Sequence, residues 1–246
     1  KRRTTFIKLL HYDSSMNCSI YLFRHGQTHF NKRKMFTGWK DAKWTADGKK
    51  NAEVVARKLR SAHIDVGFST HLTRSKETLK SVLKYHPECR FIIRDDRMIE
   101  RCYGELQGQS HSAFIKKNGQ ALFDKYHRAY NFPPPKGESV KMTEKRVKSF
   151  LSDLLKFMKK YKVNVAISAH GNSMRPFRRR FEQLSIKQMM ALENPYDNYF
   201  EYEVDVGSGK LHTPKKSAWT SVVLPKHVYT ATDKHNVLKK FYQLRP

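Results

Sequence analysis

Cys18-Ser-Ile-Tyr-Leu-Phe-Arg24-His25-Gly26-Gln27-Thr28 is the stretch on which the reading of this chain turns. A short apolar run reads as a buried strand, and Gly26 as the turn that stops it. An imidazole and a guanidinium therefore stand at the carboxyl end of a strand, where open α/β sheets hold their ligands. The second half of the chain repeats the pattern. Val163-Asn-Val-Ala-Ile-Ser168 is a β-branched run, and Ala169-His170-Gly171-Asn172-Ser173 follows it. Two strand–His–Gly turns can bring two imidazoles over one crevice.

Between and around these turns, strands alternate with amphipathic helices. Asp47-Gly48 opens a helix with Ala52, Val55, Ala56 and Leu59 on one face. Asp65–Thr70 reads as a strand, followed by a helix with Leu79, Val82 and Leu83 inward. Arg90–Arg94 reads as an edge strand. Residues 95–142 lack a clean period, and so irregular a segment in a compact domain reads as a lid or binding loop. Thr143 is expected to cap a long helix carrying Val147, Phe150, Leu151, Leu154, Leu155 and Met158 on one stripe. With Asn172 or Ser173 as the next cap, Pro176 falls in a first helical turn, where it costs little. Phe200–Val204 alternates as a last strand. This succession predicts an α/β three-layer sandwich with a mostly parallel sheet. Its expected bounds are 18–206, between basic extensions at 1–17 and 207–246.

At 246 residues the chain is long enough for one large domain with a substantial core. No apolar run approaches the ~20 residues that span a bilayer. Three widely spaced cysteines make neither a disulfide framework nor a zinc pattern. They read as free thiols in a reducing compartment, cytoplasm or mitochondrial matrix. The charge is the unusual feature: 49 Lys+Arg against 22 Asp+Glu give +27. Counted by segment, 1–17 carries +3 and 207–246 carries +7, which leaves +17 on 18–206. A small phosphate ester needs only a handful of cations, so the excess points to a polyanion such as RNA. A lysine-favouring codon bias is the plain alternative.

The chemistry follows from residue types. A ring nitrogen can attack phosphorus and split one difficult transfer into two easier ones. Charge on the transferring oxygens needs fixed cations and N–H donors. Arg24 adjoins His25, and Arg74 in His71-Leu-Thr-Arg74-Ser sits between a strand and a helix. His170 supplies a second donor. Glu100, in an irregular stretch beside Arg101 and Tyr103, is the candidate proton donor to the leaving oxygen. Singly each is ordinary: a turn histidine, a helix-start arginine, a surface carboxylate. Their order and context carry the reading.

Taken together, several motifs resemble cofactor-dependent phosphoglycerate mutase, of the histidine phosphatase superfamily. They are Leu22-Phe-Arg24-His25-Gly26-Gln-Thr with Asn31, Phe36-Thr37-Gly38-Trp39 and Asp41; His71-Leu-Thr-Arg74-Ser; Glu100-Arg101-Cys-Tyr103-Gly104-Glu-Leu-Gln-Gly108; Pro133-Pro-Pro-Lys-Gly-Glu138-Ser; and Ala169-His170-Gly171-Asn172-Ser173. The resemblance spans about residues 18 to 206. It implies that His25 is the phosphorylated nucleophile and His170 its pocket partner, with Arg24 and Arg74 holding the phosphoryl group and Glu100 the acid/base. By the same resemblance Asn31, Gly171 and Asn172 line the pocket, and Thr37, Gly38, Arg101 and Tyr103 contact substrate. A 2,3-bisphosphoglycerate primer and no metal are implied, with 3- and 2-phosphoglycerate interconverted. Three departures stand out. Ser110-His111 replace the family's Asn-Lys pair, His127-Arg128 its Arg-Arg pair, and Cys102 a usual histidine. His111 and Arg128 thus occupy substrate-cradle positions, and a histidine is largely neutral at pH 7. These changes suit a phosphatase of the same superfamily. With the basic surface, they also suit a subunit recruited into an RNA-containing assembly such as a mitochondrial ribosome. The motifs carry no signal of oligomeric state.

Overall fold

The computed structural model describes residues 17–207 and the short strand 241–243. In chain order the elements are β1 (Asn17–Arg24), α1 (His29–Lys32), α2 (Ala46–Leu59), β2 (Val66–Ser69), α3 (Thr73–Leu83), β3 (Phe91–Arg94), α4 (His111–Asn118) and α5 (Gln120–Arg128). There follow α6 (Val140–Tyr161), β4 (Val165–Ala169), α7 (Gly171–Phe181), α8 (Ile186–Ala191), β5 (Tyr199–Asp205) and β6 (Phe241–Gln243). Strand order is β5-β1-β4-β2-β3-β6. The central pairings are parallel, while β5 and β6 run antiparallel to their neighbours.

The sheet is covered on both faces, as the apolar strands require. One face, with Ile20, Leu22, Phe68, Val165 and Ile167, packs on the stripe of α6 and on Phe177 of α7. The other, with Tyr21, Phe23 and Ala166, packs on Val55, Ala56 and Leu59 of α2 and on Leu79 and Val82 of α3. The three-layer sandwich is therefore present. A third cluster, Phe36, Tyr103, Leu106, Phe114 and Phe123, roofs the carboxyl end of the sheet.

Four local expectations are corrected. β3 is not an edge, because β6 pairs antiparallel beyond it. The segment read as irregular contains α4 and α5, separated by Gly119 at φ +84°, which resets the helical period. The cap of α6 is Ser139, whose hydroxyl accepts from the Met142 amide at 3.1 Å, while the Thr143 hydroxyl donates to the Ser139 carbonyl. The cap of α7 is His170, so Pro176 lies inside the helix and leaves a backbone bond of the ladder unmade. Residues 1–16, 208–240 and 244–246, most of the two basic extensions, lie outside the described residues. No described helix is long and apolar enough to cross a membrane.

Candidate active site

Sheet register builds the site. β1 and β4 are adjacent and parallel, with Arg24 opposite Ala169, so the residues that follow them emerge side by side. The His25 amide donates to the Ala169 carbonyl at 3.0 Å, and the rings of His25 and His170 lie 4.9 Å apart between centroids. Both histidines are buried.

His25 Nδ1 lies 2.8 Å from the Gly26 carbonyl oxygen. A carbonyl can only accept, so Nδ1 carries the proton and Nε2 keeps its lone pair. Burial, with Arg74 and then Arg24 close by, holds the ring's pKa well below the usual imidazole value. His25 is thus a neutral base with one nitrogen free. His170 is likewise held well below 6.5, first by burial and then by Arg74. Its Nε2 meets the Thr70 hydroxyl at 2.9 Å, and its buried Nδ1 has no protein partner.

The cations converge on the same space. Arg74 is 1% exposed and donates to the Gly38 and Lys40 carbonyls at 2.7 and 2.9 Å. Burial brings its pKa down to about 10, which leaves it charged at neutral pH. Arg24 donates to the Asn194 carbonyl at 2.9 Å and stacks on Tyr196 with its guanidinium carbon 3.9 Å from the ring centroid. Arg101, wholly buried, donates to the Tyr126 carbonyl and lies over Tyr103. Arg24 Nε, Arg74 Nε and Arg101 Nε and Nη1 are buried without partners. Unpaired buried donors on charged groups are costly, and an anion bridging them removes the cost.

Glu100 faces both histidines; ligating atoms of the three lie within 4.8 Å of one another. Its Oε1 accepts from the backbone amides of Arg101 and Asn172 at 2.8 and 3.0 Å, the second being in the first turn of α7. Arg146 of α6 holds the Glu100 and Arg97 carbonyls and pairs with Glu138 at 2.7 Å, so the Glu100 loop is clamped from behind. Two histidines and a carboxylate are donor types a divalent cation accepts. The two guanidinium groups beside them make the set a better fit for an anion.

The other expected residues divide. Asn172 reaches the Tyr103 hydroxyl at 3.5 Å, and the Gly171 carbonyl accepts from Asn194. Thr37 is buried in the loop before Gly38, whose φ of +53° turns its carbonyl toward Arg74. Asn31 completes a capping box with Thr28 through Oδ1. Arg128 ends α5 exposed to solvent. His111 packs 4.5 Å from Phe36, and His127 4.9 Å from Phe123, between ring centroids. Burial lowers the pKa of His111, and takes His127 down to about 3, so both replace a cation with a neutral aromatic. Cys102 serves the turn instead: its sulfur accepts from the Gly104 amide.

Sequence reasoning missed Thr70, Arg146, Arg175, Asn194 and Tyr196. Arg175 donates to the Asn172 side chain at 3.1 Å. Asn194 links Arg24, the Gly171 carbonyl and Arg178. A site arginine one helical turn after the Asn172 motif residue was the available signal for Arg175.

Residues 20–215 match the family model of the histidine phosphatase superfamily, branch 1. The chain is 34% identical over 198 residues to a 2,3-bisphosphoglycerate-dependent phosphoglycerate mutase of Parvibaculum lavamentivorans, covering 77% of this chain and 92% of that one. A mutase so named from Rhizobium rhizogenes is 36% identical over 182 residues, covering 72% and 85%. Among solved structures, Bacillus stearothermophilus YhfR superposes with TM-score 0.70 at 22% identity, covering 83% of this chain and 98% of that one. A mycobacterial glucosyl-3-phosphoglycerate phosphatase gives TM-score 0.70 at 19% identity, with 83% and 99% covered. Likeness at such identity concerns the fold alone.

Proposed function

The chain belongs to the histidine phosphatase superfamily, and from that premise we propose that it interconverts 3- and 2-phosphoglycerate through a phosphohistidine at His25, primed by 2,3-bisphosphoglycerate. The observation that carries this reading is the pair of buried, unpartnered guanidinium nitrogens on Arg24 and Arg74 beside a neutral imidazole. Two guanidinium groups face one carboxyl group there, a balance suited to a phosphoryl group.

His25 Nε2 attacks phosphorus, and the bond from phosphorus to the ester oxygen breaks. Arg24 and Arg74 take up charge on the transferring oxygens. Glu100 gives its proton to the departing oxygen through Oε2, the oxygen that accepts no hydrogen bond from the protein. In the second half the acceptor hydroxyl returns a proton to Glu100 as it takes the phosphoryl group. The curated relatives named as mutases support phosphoglycerate as the substrate.

A phosphatase is the second reading. The neutral His111 and His127 favour it, since a cradle with fewer cations grips a substrate carboxylate less firmly. Incubation with 2,3-bisphosphoglycerate followed by intact mass at neutral pH tests the shared chemistry. One added phosphoryl group is expected, absent in His25→Ala. A chase with 3-phosphoglycerate then separates the readings. Appearance of 2-phosphoglycerate supports the mutase, and free phosphate at the same rate with or without acceptor supports the phosphatase. An unphosphorylated wild type defeats the mutase reading and leaves the phosphatase, whose phosphoenzyme water can clear.

A further inference from the structure

We propose that the solvent face of α6 binds the phosphate backbone of single-stranded RNA. α6 is 22 residues long, about 33 Å at the rise of an α-helix. Its inner stripe is apolar and buried, while its outer face carries exposed Lys141, Lys145, Lys148, Lys156, Lys159 and Lys160. Steps of four and three join Lys141, Lys145 and Lys148, and two turns on, past Ser152, Lys156, Lys159 and Lys160 continue the same face.

What distinguishes this face is the fate of its carboxylates. α6 has two, and both are paired with arginines of other elements. Glu144 is buried and bonds Arg179 at 2.6 Å and the Tyr130 hydroxyl at 2.5 Å. Asp153 pairs with the buried Arg97 at 2.9 Å. Lys148 approaches Glu144 at 3.5 Å, but that carboxylate is already matched by Arg179. On α2, by contrast, the two carboxylates pair with surface cations, Asp47 with Lys32 and Glu53 with Arg57. Among the described residues only Lys148 of this row has an ion pair, so most of its charge is left for counterions, which a polyanion releases on binding.

Two features extend the row into a surface. Beside Lys148 a groove of about 340 Å³ runs between α6 and α7, lined also by Arg179, Arg180 and Gln183. At the far end Tyr161 is 42% exposed, with Lys160 Nζ 5.1 Å from its ring centroid. An exposed ring flanked by a cation is a platform for an unpaired base. The outer face of α6 offers no apolar stripe to bury in a lipid surface, which favours a nucleic acid over a membrane.

The test is fluorescence anisotropy of a labelled oligouridylate with the full chain across a salt series. Lys145→Gln, Lys148→Gln, Lys156→Gln and Lys159→Gln combined should weaken binding at least tenfold at low salt. The log–log salt slope should fall by about 3, at about 0.7 per lost contact. The matched change Lys49→Gln, Lys50→Gln, Lys76→Gln and Lys80→Gln removes equal charge elsewhere and should leave both quantities nearly unchanged. Tyr161→Ala should weaken binding by roughly fivefold or more without altering the slope. Melting temperatures confirm that each variant is folded. Equal losses in the two quadruple variants would make the binding diffuse and overturn the assignment. So would oligouridylate binding that ignores the α6 lysines while phosphatidylserine vesicles depend on them.

Discussion

A phosphohistidine needs a ring nitrogen with a free lone pair, and one carbonyl provides it here. The Gly26 oxygen accepts a hydrogen bond from Nδ1–H of His25 and leaves Nε2 open. The motif made His25, His170, Arg24 and Arg74 legible: the first three stand at strand ends, and Arg74 lies in the first turn of the helix after β2. The environments of His111 and His127 were not legible, because their rings are set by Phe36 and Phe123 from distant parts of the chain. Their neutrality has a consequence at the residue scale. If the proposed mutase activity holds, His111→Lys places a cation where the resemblance puts the substrate cradle, and its ammonium can pair with a phosphoglycerate carboxylate. A charge-assisted bond of this kind lowers KM for 3-phosphoglycerate by about tenfold, with phosphoenzyme formation unchanged. Steady-state kinetics of the purified variant provide the check. An unchanged KM would mean that the substrate carboxylate is held elsewhere.

At the scale of elements, strands and sheet-facing helices were readable because burial on one face imposes a strict period. α4 and α5 escaped that reading because they cover a small satellite cluster. Phe114 and Phe123 are their buried anchors, and Gly119 separates the two phases. The cap at Ser139 and the internal Pro176 were misplaced for a related reason: helix starts are chosen by hydrogen bonds, and the chain offers several candidates within one turn. Asn194 and Tyr196 lie in a loop before β5, where no period signals them. One contact between elements does fix the turn that carries His25. The turn after β1 presses on the start of α2 so closely that a Cβ on Gly48 would lie 1.9 Å from the Gln27 carbonyl oxygen. Both partners are backbone, so nothing can rotate aside. Gly48→Ala should therefore part turn and helix, at about 1–3 kcal/mol. The melting temperature should fall by about 2–12 °C. Phosphoenzyme yield should fall with it, because the Gly26 amide loses its register with Thr78 at 3.0 Å. A variant melting like the wild type would show that the approach is looser than the geometry requires.

At the scale of the whole molecule, the positive charge is unevenly spent. Arg178 and Arg179, which the sequence presents as a basic run, pair with Glu182 and Glu144 inside the fold, and Arg180 alone of the three is exposed. Arg74, Arg97 and Arg101 are buried as well. The interior also holds histidines without charge, and this sets the acid limit of the fold. His25, His170 and His127 have lowered pKa values in the folded chain, burial being the first cause in each. In the unfolded chain each recovers about 6.5. Below that pH the unfolded state binds more protons than the folded one, so stability falls as pH falls; above it the three groups cost nothing. For each histidine the slope approaches about 1.4 kcal/mol per pH unit, and for His127 it persists toward pH 3. Urea midpoints should therefore hold steady from pH 8 to 7 and drop steeply between pH 6 and 5, above the range where ordinary carboxylates titrate. His127→Phe keeps an aromatic ring beside Phe123 and removes one titrating group, so its drop should be shallower over the same interval. Equal slopes in the two proteins would show that His127 is not the buried neutral group its surroundings imply.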